Sequence, residues 1–157
     1  MIQSPEQLMK SKKGQCWEQA ELARYLFNQK GIPCRVFFMD VAINARGDTQ
    51  THTFLTFESD GAFYWFEHSW EQLRGIHRYN SMKELLNDVT LKISSLEKNQ
   101  GRPGEVFRIR EYDAPKLPIY CMEYFYHCLN GREIEIDATI LITSRLPKPA
   151  VSRRGSR

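Results

Sequence analysis

Gly14-Gln15-Cys16-Trp17 introduces a helical run that closes at Gly31-Ile32-Pro33. Cys16, Ala20, Ala23 and Phe27 recur at the spacing of one helix face, flanked by Leu22 and Leu26, and predict a helix from about Cys16 to Lys30. Gly31 and then Pro33 supply its stop. Cys16 therefore stands in the first turn, on the face that packs inward. A free thiol is mostly protonated at neutral pH, and a helix N-terminus together with an imidazole can lower its pKa. Cys16 is thus a candidate nucleophile that needs a histidine and a group to orient that histidine.

The chain has four histidines: His52, His68, His77 and His127. His52 lies in a strand-like segment, Thr51 to Phe57, and a second segment, Ala62 to Glu67, follows Glu58-Ser59-Asp60-Gly61. The pair reads as a β-hairpin. Opposed residues of an antiparallel hairpin share a constant index sum. A loop over 58–61 gives a sum of 119 and places His52 directly opposite Glu67, with Cβ atoms about 5 Å apart. A two-residue Asp60-Gly61 turn gives 121 and makes them diagonal neighbours within about 7–8 Å. Both registers put them on one face; an odd-length loop or a bulge would separate them. Alternation groups Glu67 with Phe63 and Trp65, and places His68 with Tyr64 and Phe66 on the other side. A glutamate beside a histidine fixes its tautomer and stabilises the imidazolium. Each residue also has a simpler explanation: an inert buried thiol, a satisfied strand histidine, a cross-strand pair. Their joint occurrence favours chemistry.

The rest of the chain has no internal repeat. Ser4-Pro5-Glu6-Gln7 is a helix start with a Ser cap and Pro at the first position, and that helix ends before Gly14. Arg35 to Val41 is an apolar strand, followed by a polar loop over 42–50. Ser81-Met82-Lys83-Glu84 is a capping box, and Met82, Leu85, Leu86, Val89 and Ile93 form a helical stripe behind it. Asn99 to Gly104 reads as a loop and Val106 to Glu111 as a strand. Pro118 to Leu129 is ambiguous and favours a helix closed by Asn130-Gly131. Glu133 to Ile142 alternates like a strand. A nucleophile helix, then a hairpin, then mixed elements make the class α+β.

Composition sets the bounds. The chain's 157 residues fit one catalytic domain, predicted over 1–144. No apolar run approaches the roughly 18 residues of a membrane span. Met1 to Lys13 is polar and carries no secretory h-region, which predicts a cytoplasmic protein. The net charge of +3 comes from the tail: 145–157 holds five basic residues and no acid, so the remainder is net −2. The body is therefore not a basic nucleic-acid binder, and no membrane partner is expected. The tail, with two prolines, a glycine and serines, is predicted to be disordered and could touch nucleic acid or an acidic partner weakly; a solvated tail is the simpler reading. Of the four cysteines, Cys34, Cys121 and Cys128 lie among apolar residues and read as small buried hydrophobes. No CxxC spacing suggests a zinc site.

Gly14-Gln15-Cys16-Trp17 resembles the nucleophile motif of transglutaminases. Gly31-Ile32-Pro33-Cys34-Arg35 resembles the segment that leads that superfamily into its first strand. His52, in Thr51-His52-Thr53-Phe54, stands where the family has its histidine, and Trp65-Phe66-Glu67 resembles the segment ending in its acid. The resemblance covers roughly residues 12–70 and is closest to small microbial transglutaminase-like proteins, many of them proteases or amidases. The chain departs from the pattern in having Glu67 where Asp is usual, and Thr53-Phe54 where Ala-Trp is commoner. The resemblance implies a papain-like core, with the nucleophile helix packed on an antiparallel sheet that bears histidine and acid.

The sequence thus points to a cysteine-dependent amide or isopeptide hydrolase or acyltransferase acting on a peptide or protein substrate. Cys16 would attack, His52 would move the proton and Glu67 would orient His52. The Cys16 N–H would be one oxyanion donor, with Gln15 and Trp17 as candidates for a second by position. The mechanism requires no metal or organic cofactor. Two alternatives stand beside it: a catalytically inactive binding module on the same fold, and a peptide-maturation protease acting with a partner. Trp17, Trp65, Trp70 and Tyr79 are candidates for the cleft lining, although aromatics near a sheet more often belong to the core.

Overall fold

The computed structural model describes residues 1–42, 49–95, 97–98, 102–103 and 105–137. Among these residues, four helices and a six-stranded antiparallel sheet make an α+β fold. The helices are α1 Pro5–Ser11, α2 Cys16–Gln29, α3 Met82–Ser95 and α4 Cys121–Leu129. The strands are β1 Cys34–Ala42, β2 Thr49–Ser59, β3 Ala62–Glu67, β4 Gly75–Tyr79, β5 Glu97–Lys98, β6 Arg102–Pro103, β7 Glu105–Glu111 and β8 Arg132–Ile134. The main sheet runs β4-β3-β2-β1-β7-β8, and β5 pairs with β6 separately.

The apolar run of β1 follows from its place in the sheet. It pairs with β2 on one side and β7 on the other, and both its faces are covered. Phe37, Met39 and Val41 join Phe54, Trp65 and Ile109 beneath Leu85, Val89 and Ile93 of α3. Val36 and Phe38 point the other way, to Leu55 and to Ala20 and Ala23 of α2 and Tyr124 and Cys128 of α4. The two small residues on α2 let the helix lie close to the sheet. Each fully buried large apolar side chain contributes about 1.5–3 kcal/mol.

The local signals behave as their chemistry requires. Ser4 caps α1 by accepting the Gln7 N–H, and the Gln7 side chain answers the Ser4 N–H. α2 ends in a Schellman motif, in which Ile32 N–H donates to Phe27 O and Gly31 N–H to Asn28 O, both at 3.0 Å. Ser81 accepts the Glu84 N–H, but the Glu84 carboxylate reaches back one residue further than a capping box predicts, to the Asn80 N–H. A buried polar cluster fastens α2 from behind. Glu21 accepts from the Tyr112 and Tyr124 hydroxyls at 3.1 and 3.0 Å, and Arg24 donates to Tyr112 O at 3.2 Å.

Several expectations are corrected. The polar loop at 42–50 is shorter, because β1 runs to Ala42 and β2 begins at Thr49. Part of the loop expected over 99–104 is strand β6. β8 ends at Ile134, where its pairing with Ile109 of β7 ends, and residues 135–137 continue without strand pairing. Ile136 still packs against the α3-side core, so the alternation marked burial beyond the paired strand. α4 begins at Cys121 rather than Pro118. Cys121 is exposed and Cys34 half-buried; only Cys128 is a buried small hydrophobe. The basic tail over 145–157 lies outside the described residues. No helix among the described residues is long and apolar enough to cross a membrane.

Candidate active site

The hairpin turn sets the register on which the site depends. Asp60 and Gly61 have φ of 50° and 69°, and Ser59 pairs with Ala62. Two consecutive positive φ values mark a two-residue turn whose twist matches the strands. Glycine supplies the second without a Cβ penalty. Of the two registers open to the sequence, the structure adopts the one with index sum 121. His52 and Glu67 are therefore diagonal neighbours on the α3-side face, and the longer glutamate side chain spans the offset.

His52 Nε2 lies 2.8 Å from Glu67 Oε2, and both side chains are buried, 2% and 1% exposed. The other carboxylate oxygen accepts the N–H groups of Ser69 at 2.7 Å and Trp70 at 3.1 Å. These two bonds turn the chain sharply after β3 and bring Trp70 back over the imidazole. Its ring stacks on His52 at 4.3 Å and 15°. Burial pushes the Glu67 carboxyl up, but the hydrogen bond and charge of His52 and the two backbone donors outweigh it and hold the carboxyl below its usual range. Burial pulls the His52 imidazole down, whereas its hydrogen bonds to Cys16 and Glu67 and their charges raise it to about 9.

Cys16 arrives from α2, on the opposite face of the sheet. Its approach is fixed from below. Glu18 accepts the N–H groups of Gln15 and Gln3, each at 2.9 Å, and Gln19 donates to Gly14 O at 2.7 Å. A Cβ at Gly14 would lie 2.5 Å from the buried Leu8 Cδ1, so glycine there lets α1 and α2 meet. The half-buried thiol hydrogen-bonds the imidazole, and because Glu67 holds Nε2, Nδ1 is the nitrogen left to face it. Burial pushes the Cys16 thiol up; the hydrogen bond and charge of His52, with help from Thr53, bring it below its ordinary value. An acid lowered and a base raised beside each other favour a thiolate–imidazolium pair.

The structure brings together Cys16, His52 and Glu67. Gln15 is exposed at the N-cap of α2. The Trp17 ring packs toward Tyr124, with ring centroids 6.5 Å apart. Trp65 and Tyr79 belong to the core, so of the four aromatics only Trp70 touches the histidine. His68 lies against Phe66 on the α2-side face, as alternation predicts, and burial holds its imidazole below the ordinary value. Thr53, which sequence reasoning noted only as a departure from a family pattern, places its hydroxyl 3.9 Å from Cys16 Sγ. No group of His, Cys, Asp or Glu among the described residues is arranged to hold a metal ion.

Among curated proteins the chain finds no match. A family model does match, over residues 1–74, and that span contains α1, α2, β1, β2 and β3 with Cys16, His52 and Glu67. The matching model is that of the transglutaminase-like superfamily, and the part of the chain similar to it is built here as a helix with Cys16 at its N-terminus on an antiparallel sheet.

Proposed function

We propose that Cys16, His52 and Glu67 form the triad of a cysteine-dependent amide or isopeptide hydrolase or acyltransferase that works through a thioester. The 2.8 Å contact between His52 and a buried Glu67, with Cys16 on the other side of the imidazole, carries this reading. A buried carboxylate that only balanced charge would not need two backbone donors aiming it at a histidine.

The steps follow from the groups present. Cys16 Sγ attacks the carbonyl carbon, and the carbonyl π electrons move to oxygen. The Cys16 N–H, one of the helix-opening donors without an intrahelical acceptor, faces the developing oxyanion. Gln15, exposed beside it, is the candidate second donor. The His52 imidazolium gives its Nδ1 proton to the departing amine as the C–N bond breaks and the thioester forms. The neutral imidazole then takes a proton from the incoming water or amine, which attacks the thioester and releases the thiolate. Glu67 keeps the ring's orientation and tautomer through both halves.

An amide-type activity-based probe with intact-mass readout tests the proposal. The wild type should gain one adduct at Cys16, and Cys16→Ala should gain none. Equal labelling of Cys34, Cys121 and Cys16 at limiting reagent and neutral pH would reject a specially activated Cys16.

A further inference from the structure

Thr53 follows His52 on β2, and its side chain faces α2 alongside Leu55. It is buried, and its hydroxyl lies within hydrogen-bond distance of Cys16 Sγ. The backbone of the same residue is also available to the sulfur. Glu58 N–H donates to Pro33 O ahead of β1, so the even-numbered residues of β2 turn their polar groups toward β1. The odd-numbered residues, Thr53 among them, turn theirs toward β3. β3 pairs with β2 no further than Leu55 and Phe66. The Thr53 N–H therefore emerges where the ladder has stopped, and the Cys16 sulfur is its partner there.

We infer that Thr53 is a positioning residue that holds the Cys16 sulfur through both its hydroxyl and its backbone N–H. This rests on reading Cys16 as the nucleophile. The hydroxyl suits the task because it carries one proton on a free rotor. It accepts from the neutral thiol and donates to the thiolate, so it can follow the charge with no backbone movement. The β-branch restricts χ1 and keeps the oxygen aimed at the sulfur. No bond to Thr53 forms or breaks. On acylation the sulfur loses its charge and the hydroxyl relaxes back to its own rotor.

The test compares iodoacetamide alkylation of Cys16 against pH in the full chain, by intact mass, for wild type, Thr53→Val, Thr53→Ala and Thr53→Ser. Thr53→Val keeps the shape and removes the hydroxyl; Ala and Ser differ from each other by one oxygen and serve if the valine variant does not fold. In Thr53→Val and Thr53→Ala the alkylation profile should move to higher pH, with the rate at pH 6 falling about tenfold, as expected for losing one donor to a charged acceptor. Thr53→Ser should restore the wild-type profile. A wild-type profile in both Thr53→Val and Thr53→Ala would overturn the inference while leaving Cys16 as the nucleophile. An ordinary thiol profile for Cys16 in the wild type would overturn the triad itself.

Discussion

His52 and Glu67 meet across a diagonal of the hairpin, 2.8 Å apart at their ends, although the register places neither opposite the other. That offset explains the glutamate. A shorter aspartate at the same position would fall one methylene short of the imidazole and would lose the reach to the Ser69 and Trp70 N–H groups. Glu67→Asp should therefore behave nearly as poorly as Glu67→Gln in steady-state turnover of whatever amide the probe screen identifies. A fully active Asp variant would show that the carboxylate's reach is not limiting.

The pH dependence follows from the signs of the shifts. In the proposed mechanism His52 is protonated when it serves the leaving amine, and its pKa is raised to about 9, so activity should be lost as pH rises through about 9. The same mechanism needs Cys16 ionised, and its pKa is lowered, so the acid limb should lie below that of an ordinary thiol. Glu67→Gln removes a charge that raises His52, which brings the alkaline limb down. The weaker imidazolium then supports the thiolate less, which moves the acid limb up. The pH–kcat/KM bell should narrow from both sides; a bell that shifts without narrowing would contradict coupling of the three groups.

Trp70 stacks on the imidazole and excludes water from it. An aromatic face also favours the cationic ring by about 0.5–2 kcal/mol. Trp70→Ala should lower kcat/KM about tenfold and move the alkaline limb down, with Trp70→Phe intermediate. Loss of activity without movement of that limb would reduce Trp70 to a steric role.

The parity of β3 is what puts Glu67 on the face of His52. Inserting one residue between Ala62 and Phe63 shifts the rest of the strand by one position and turns Glu67 to the α2-side face. Probe labelling of Cys16 should then fall to the level of Glu67→Gln or lower, and Trp65 fluorescence should change as the ring leaves the α3-side core. Retained activity in such a variant would require a bulge that restores the register.

Removal of the Glu21 partners tests the back of α2. Tyr112→Phe and Tyr124→Phe each delete one hydroxyl donor to a buried carboxylate. Each should cost about 1–3 kcal/mol in urea unfolding. Burial raises the Glu21 pKa above its unfolded value, so the charged carboxylate already costs stability above that range, and losing a donor should deepen this cost at neutral pH more than at pH 4. Equal losses at both pH values would argue against an ionised Glu21.

Much of this was legible because it rests on local chemistry. The period of Cys16, Ala20, Ala23 and Phe27 reported α2, and alternation put Glu67 with His52 and His68 elsewhere. The choice between two registers was not legible, since Glu58-Ser59-Asp60-Gly61 offers turn residues at every position; the backbone at Asp60 and Gly61 made it. β4 escaped notice because its five residues alternate over too short a span, at an edge where Ile76 is exposed. The part inferred for Thr53 could not be read from sequence, because it depends on where β3 stops pairing. The Glu21 cluster draws on residues from α2, the end of β7 and α4, and no local pattern announces a contact over such separations.

The early end of β3 has one more consequence. A strand whose outward N–H groups lack neighbours is a template on which other chains can pair. Here the Cys16 sulfur lies beside Thr53 where β3 has stopped pairing, and the chain turns over residues 67–70 next to it. The feature that admits the sulfur beside β2 should also protect the sheet from edge-to-edge assembly. Variants that loosen α2 from the sheet should therefore tend to aggregate as well as lose activity.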